Sequence, residues 1–220
     1  MNNKPTVSIA IGTTMFARYA DLPNTVSHAI AEFIDNALQS YRNNKDYFQS
    51  TNPDFRFKVT IDFNWNTDDN RARKITISDN AGGLNFASFQ KAFMTAETPE
   101  DNKGLNEFGM GMKTAAGWLG NKWSVRTSAI GESVERFYEF DLQYVLENDV
   151  KELPYDEIPS SESSHYTIVT IEESTKNSPS QKSIDKIKLE LASIYRQSLR
   201  ANEMDLFIGD EPLSFDEYPI

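Results

Sequence analysis

The chain has no cysteine among its 220 residues, which excludes disulfides and zinc–thiolate sites. Histidine is scarce, with only His28 and His165. No apolar run is long enough to span a membrane. The opening MNNKPTVSIA has no apolar stretch after Lys4, so no signal peptide is expected and a cytoplasmic chain is. Internal repeats and low-complexity tracts are absent as well. Basic residues are in deficit, with 22 Lys and Arg against 33 Asp and Glu, a formal charge of −11. Such a surface repels a phosphate backbone at long range, so nucleic acid is not an expected partner of this domain alone. The same charge is also what simple solubility requires. What is present is ample core material: 39% hydrophobic and 12% aromatic residues.

Hydrophobic spacing outlines the elements. Residues 24–43 recur at helical steps through Val26, Ile30, Phe33, Ala37 and Tyr41, with Asn24 or Thr25 placed to cap the start. Residues 55–65 and 73–79 alternate like the two strands of a hairpin. A short apolar helix is expected near 85–94, then an aperiodic loop over 95–107, and a helix from Phe108 to Trp118. Strands are expected at 123–129 and 134–142 around a Gly131 turn, and at 166–173. Residues 147–164, polar and carrying Pro154 and Pro159, read as a loop. Residues 180–200 read as one amphipathic helix, and MDLFIGDEPLSF as strand, Gly-Asp turn and strand start. Mixed hairpins and helices without βαβ alternation predict an α+β fold, a two-layer sandwich with a mainly antiparallel mixed sheet and helices on one face. The expected division is an arm or strand over 1–20, one domain over 21–200, and the start of a following segment or second domain over 201–220. The first residues, with Phe16 and Tyr19, read either as an arm exchanged between subunits or as an ordinary short strand.

Three segments carry candidate chemistry. In EFIDNA, Glu32 and Asn36 lie four apart on one helix face. An amide oxygen suits Mg²⁺, and a carboxylate one turn earlier can polarise a water. Alone, the segment reads first as the solvated face of an amphipathic helix. In SDNAGGL, Asp79 ends a strand and can accept from an exocyclic amine, while Gly82 and Gly83 permit close backbone approach. Alone, the segment reads first as a plain turn. In GLNEFGMGMKTAAG, glycines 104, 109 and 111 open into a helix, which exposes N–H groups and a positive dipole end to an anion. No G-x-x-x-x-G-K-[ST] loop occurs.

In this order and spacing the segments resemble the GHKL ATPase superfamily, closest to its MORC-like and heat-shock-chaperone-like members. EFIDNA is similar to its N box, DNAGG to its D-x-G-x-G box, NEFGMGMK to its G-x-G lid, and YTIVTI at 166–171 to its late G-T-x-V-x-I strand. Two positions depart: Ala81 replaces the first glycine of D-x-G-x-G, and Tyr166 the glycine before Thr167. The resemblance implies the Bergerat ATP-binding fold with ATP and Mg²⁺ as ligands. Asp79 would read adenine with Thr167 behind it, and Asn36 would ligate Mg²⁺. Gly83, Gly109, Met110, Gly111, Met112 and Lys113 would line or cradle the nucleotide, and Glu32 would orient the attacking water. It further implies slow hydrolysis gated by closure of 95–113 and by homodimerisation on ATP binding. An ATP switch with little hydrolysis and a histidine-kinase-type phosphotransferase are the alternatives. Against the kinase, Glu32 stands where kinases usually carry Asn, and His28 falls inside the N-box helix. The abrupt end at Ile220 suggests a piece of a longer protein.

Overall fold

The computed structural model describes residues 6–8, 13–93, 110–150 and 152–215. Its helices are α1 (Val26–Asn43), α2 (Lys45–Thr51), α3 (Phe86–Phe93), α4 (Met110–Leu119), α5 (Leu142–Asn148), α6 (Ile184–Ile194) and α7 (Arg196–Arg200). The strands are β1 (Thr6–Ser8), β2 (Lys58–Trp65), β3 (Ala72–Asp79), β4 (Gly120–Ser128), β5 (Val134–Asp141), β6 (Glu152–Pro159), β7 (Tyr166–Ser174), β8 (Asp205–Ile208) and β9 (Glu211–Pro212). A 3₁₀ segment, Thr13–Asp21, precedes α1.

The described strands form one sheet in the order β1-β6-β5-β4-β7-β3-β2-β8-β9. All pairings are antiparallel except β2 with β8, which is parallel. Alternate residues of each central strand, such as Val59 and Ile61, Ile75 and Ile77, Trp123 and Val125, Val169 and Ile171, are buried beneath the helices. Their neighbours Thr60, Thr76, Ser124 and Thr170 stay outside the core. One covered and one open face make the expected two-layer α+β sandwich with a mainly antiparallel sheet. Among the described residues no helix is long and apolar enough to cross a membrane.

Helix α1 starts where the Thr25 side chain accepts from the His28 N–H at 3.2 Å. Its face of Ile30, Phe33, Ile34, Ala37 and Leu38 enters the core. The 3₁₀ segment packs on α4: Phe16 and Tyr19 are buried, and Gly117 lets the Tyr19 ring lie against that helix. β1 pairs with β6 of the same chain.

The structure corrects the reading of residues 147–164 as a loop, because α5 ends at Asn148 and β6 occupies Glu152–Pro159. Leu153 and Tyr155 of β6 are buried, a two-residue period that the flanking prolines hide in the sequence. Both prolines suit their places. Pro159 ends the ladder with β5, and Pro154 lies just outside it, opposite Thr6 of β1. The stretch 180–200 is broken as well: α6 stops at Ile194 and α7 starts at Arg196, with Tyr195 turned into the core between them. β8 and β9, which fall within 201–220, continue the same sheet beside β2. The expected loop over 95–107 lies outside the described residues.

Candidate functional site

The sheet register creates one polar row across β3, β7 and β4. Asp79 at the end of β3 stands opposite Thr167 of β7, and Thr167 opposite Thr127 of β4. Thr127 is fully buried, and its hydroxyl serves three neighbours. It donates to the Tyr166 carbonyl at 2.9 Å, lies 3.2 Å from the Thr167 hydroxyl, and accepts from the Leu84 N–H at 2.9 Å. That last bond ties the DNAGGL loop to the sheet. The Gly82 carbonyl accepts from the Ile130 N–H at 3.1 Å. Gly83 runs at φ +69°, and a Cβ there would collide with the Ser128 carbonyl. Only glycine allows this approach.

The outer side of the loop is held by aromatic packing. Phe48 stacks on Phe55 at 4.2 Å and Tyr41 on Phe57 at 4.7 Å. His165 packs edge-on against Phe48, and its Nδ1 lies 3.0 Å from the Asn80 carbonyl. Ala81, the departure from the glycine pattern, is fully buried without positive φ, and its N–H donates to the Asp79 carboxylate at 2.8 Å. Tyr166, the other departure, sends its hydroxyl to Glu135.

Between α1 and this row lies a cleft of about 520 Å³, counting its open mouth. Asn36, Asp79, Gly83, Met112 and Thr167 line it together with apolar Phe33, Ile77, Leu84, Ala92 and Val169. Five expected site residues from four separate segments therefore meet at one place. Burial raises the Asp79 carboxyl to about 7, against the opposing pull of N–H groups from Ala81 and Thr167. The cleft is mainly apolar, with the Asp79 carboxyl as an acceptor on its wall.

The predicted catalytic Glu32 is not among the residues lining this cleft; it lies where α1 meets α4. The Glu32 carboxylate lies against Gly111 in the first turn of α4, where an added Cβ would overlap Glu32 Oε2. Burial raises the Glu32 carboxyl above its ordinary value, and the neighbouring Asp35 charge adds to the rise. Lys113 is 4% exposed within α4, and burial lowers its ammonium to about 8. It is not among the residues lining the cleft. Gly109 lies outside the described residues, and Met110 is described only as the first residue of α4.

Sequence reasoning missed Thr127 and Ser40. Ser40 lines the cleft and donates to the Gly83 carbonyl at 3.3 Å. Ser40 follows Asn36 by one helical turn, which is a usable signal. Thr127 had none, since its role comes from a cross-strand register with β7.

The fold and the cleft together define an α+β domain in which a strand-end carboxylate and the first turn of α4 line one cleft. The family described as histidine kinase-, DNA gyrase B-, and HSP90-like ATPase matches residues 24–170, well over half of the chain, and the chain belongs to it. The GHKL type is thereby established, and with it the family's association with ATP. A comparison with curated proteins finds no match.

Proposed function

We propose that the chain binds Mg²⁺-ATP in this cleft and hydrolyses it slowly. The observation that carries the reading is one cleft lined together by Asn36, Asp79, Gly83, Met112 and Thr167, with the Glu32 carboxylate against the first turn of α4 outside that lining. Asp79 accepts from the adenine amine, with Thr167 and Thr127 holding its surroundings. The Gly83 turn brings backbone close to the base, and Phe33, Leu84 and Val169 exclude water around it. Amides at 109–113 and the positive end of α4 face the phosphates, with Lys113 adding charge from within the helix.

Asn36 would supply one amide oxygen to Mg²⁺. Among the described residues no group of three His or acidic side chains is placed to hold a metal alone. Phosphate oxygens and water would supply its remaining ligands. The ion's contribution is to neutralise charge building on the phosphates. Glu32 orients the attacking water and takes its proton, and its raised affinity for protons suits that task. Phosphoryl transfer depends on positioning and charge stabilisation, so an unassembled site turns over slowly. Closure of 95–113 and homodimerisation on ATP binding would assemble it. A cytoplasmic setting and no nucleic-acid partner for this domain complete the proposal.

Neither histidine favours phosphotransfer to protein. His28 Nδ1 lies 3.1 Å from Thr25 Oγ1 at the helix cap, and His165 is engaged with the loop carbonyls. The test is Glu32→Ala, followed by phosphate release and by nucleotide binding in titration calorimetry. Phosphate release should fall below detection while affinity stays within a few-fold. Unchanged turnover would remove Glu32 from the water-activating role, and stable γ-phosphate label on the protein would favour the kinase.

A further inference from the structure

We infer that Tyr195 is a positioning residue for Glu32: its hydroxyl, reaching in from the break between α6 and α7, fixes the turn of α1 from which Glu32 projects. The inference rests on the reading of Glu32 as the water-orienting carboxylate. Tyr195 lies beyond the 24–170 stretch that the family covers. Its ring is 5% exposed, and its Oη donates to Asp35 Oδ1 at 2.7 Å and lies 3.0 Å from the Ala31 carbonyl. Those partners are the residue before Glu32 and the residue three after it, so one hydroxyl brackets the carboxylate.

The rest of α6 serves the same contact. Ser27 of α1 is buried and donates to Glu190 Oε2 at 2.6 Å. Farther along α1, Arg42 forms a paired bond to Glu203, with distances of 2.9 and 2.7 Å. The inner side of α1 is packed in the core, and Glu32 meets α4 at Gly111. Without the Tyr195 hydroxyl, Asp35, which is exposed, has no buried anchor among the hydrogen bonds described, and the Ala31–Asn36 turn relies on helical bonds alone. Tyr195 shares the buried face of Ile187 and Leu191, and its position is held by backbone bonds from the Tyr195 N–H to the Leu191 carbonyl and from the Leu199 N–H to the Tyr195 carbonyl, both 3.0 Å.

The experiment uses Tyr195→Phe, Asp35→Ala and the double variant in the full chain, each measured for kcat, ATP dissociation constant and amide hydrogen exchange along α1. Phenylalanine keeps the ring packing and removes only the hydroxyl. Tyr195→Phe should lower kcat about tenfold while leaving ATP affinity within twofold, because a misplaced water-orienting group affects the transition state and not ground-state binding. Exchange at 31–36 should quicken several-fold relative to the α1 start. In the Asp35→Ala background the second substitution should lower kcat no further, as residues acting through one another are non-additive. An unchanged kcat in Tyr195→Phe overturns the inference. So does a fall in kcat matched by an equal loss of ATP affinity, or a full tenfold loss on top of Asp35→Ala. Hydrogen exchange separates the two readings. If the wild-type chain shows no turnover, the hydrolase reading fails, whereas unchanged exchange at 31–36 in Tyr195→Phe rejects the clamp itself.

Discussion

The cleft and the helix contact beside it are made of different material. At the base end, Asp79, Thr167 and Thr127 occupy one row of three paired strands, and the Gly82–Leu84 backbone is bonded down onto the same strands. At the proposed phosphate end, beside the cleft lining, the Glu32 carboxylate of α1 lies against the Gly111 backbone of α4. A sheet row is over-determined, because each residue is fixed by two neighbours. A helix–helix approach is set by packing and slides more readily. In the proposed reading, base recognition falls to the strand row and chemistry to the helix contact.

Gly83→Ala should break the base end most severely. It forces a side chain into positive φ against the Ser128 carbonyl, and a loss of about 3 kcal/mol in chemical denaturation is expected. Asp79→Asn should raise the ATP dissociation constant about 100-fold, since the amide presents a donor or a neutral acceptor where a carboxylate stood. The same change should stabilise the empty protein. A carboxyl raised from 3.8 to about 7 binds its proton more tightly in the folded than in the unfolded chain. Its contribution to stability is complete below pH 3.8 and is lost as pH rises through about 7. Because Asp79 retains some solvent contact, Asp79→Asn should gain about 2 kcal/mol above pH 7, less than the full shift implies. Wild-type ATP affinity should weaken as pH falls below about 7, where the acceptor becomes protonated. A flat pH profile in calorimetry would detach Asp79 from adenine.

The phosphate end should respond in rate rather than in affinity. Gly111→Ala displaces the Glu32 carboxylate, and a loss of about 30-fold in kcat with little change in ATP affinity is expected from steady-state and binding measurements. An equal loss in both quantities would show that the two ends are not separable. Thr127→Val is the mildest test. It leaves the Leu84 N–H without its acceptor, so about 1–2 kcal/mol of stability should go, with a few-fold weaker ATP binding.

Local pattern made much of this legible. The α1 periodicity, the β2–β3 hairpin and the Gly-rich approach to α4 are short-range features, and Glu32, Asn36 and Asp79 could be singled out from spacing within single elements. β6 escaped because its prolines resemble loop punctuation, although they stand at the ends of its ladder with β5. The break at Tyr195 escaped because Ile184, Ile187, Leu191 and Leu199 keep a helical rhythm across it.

By itself the sequence determined the motif residues, the element types around them and the acidic, cysteine-free character of the chain, because those depend on neighbours a few positions away. Tertiary structure alone decided that Thr127 joins Thr167 and Asp79 in one row, that β8 returns to pair beside β2, and that Tyr195 reaches Ala31 and Asp35 from 160 or more positions along the chain. The physical reason is register and burial. Which distant side chains meet depends on how strands pair and which faces exclude water, and no local spacing records either.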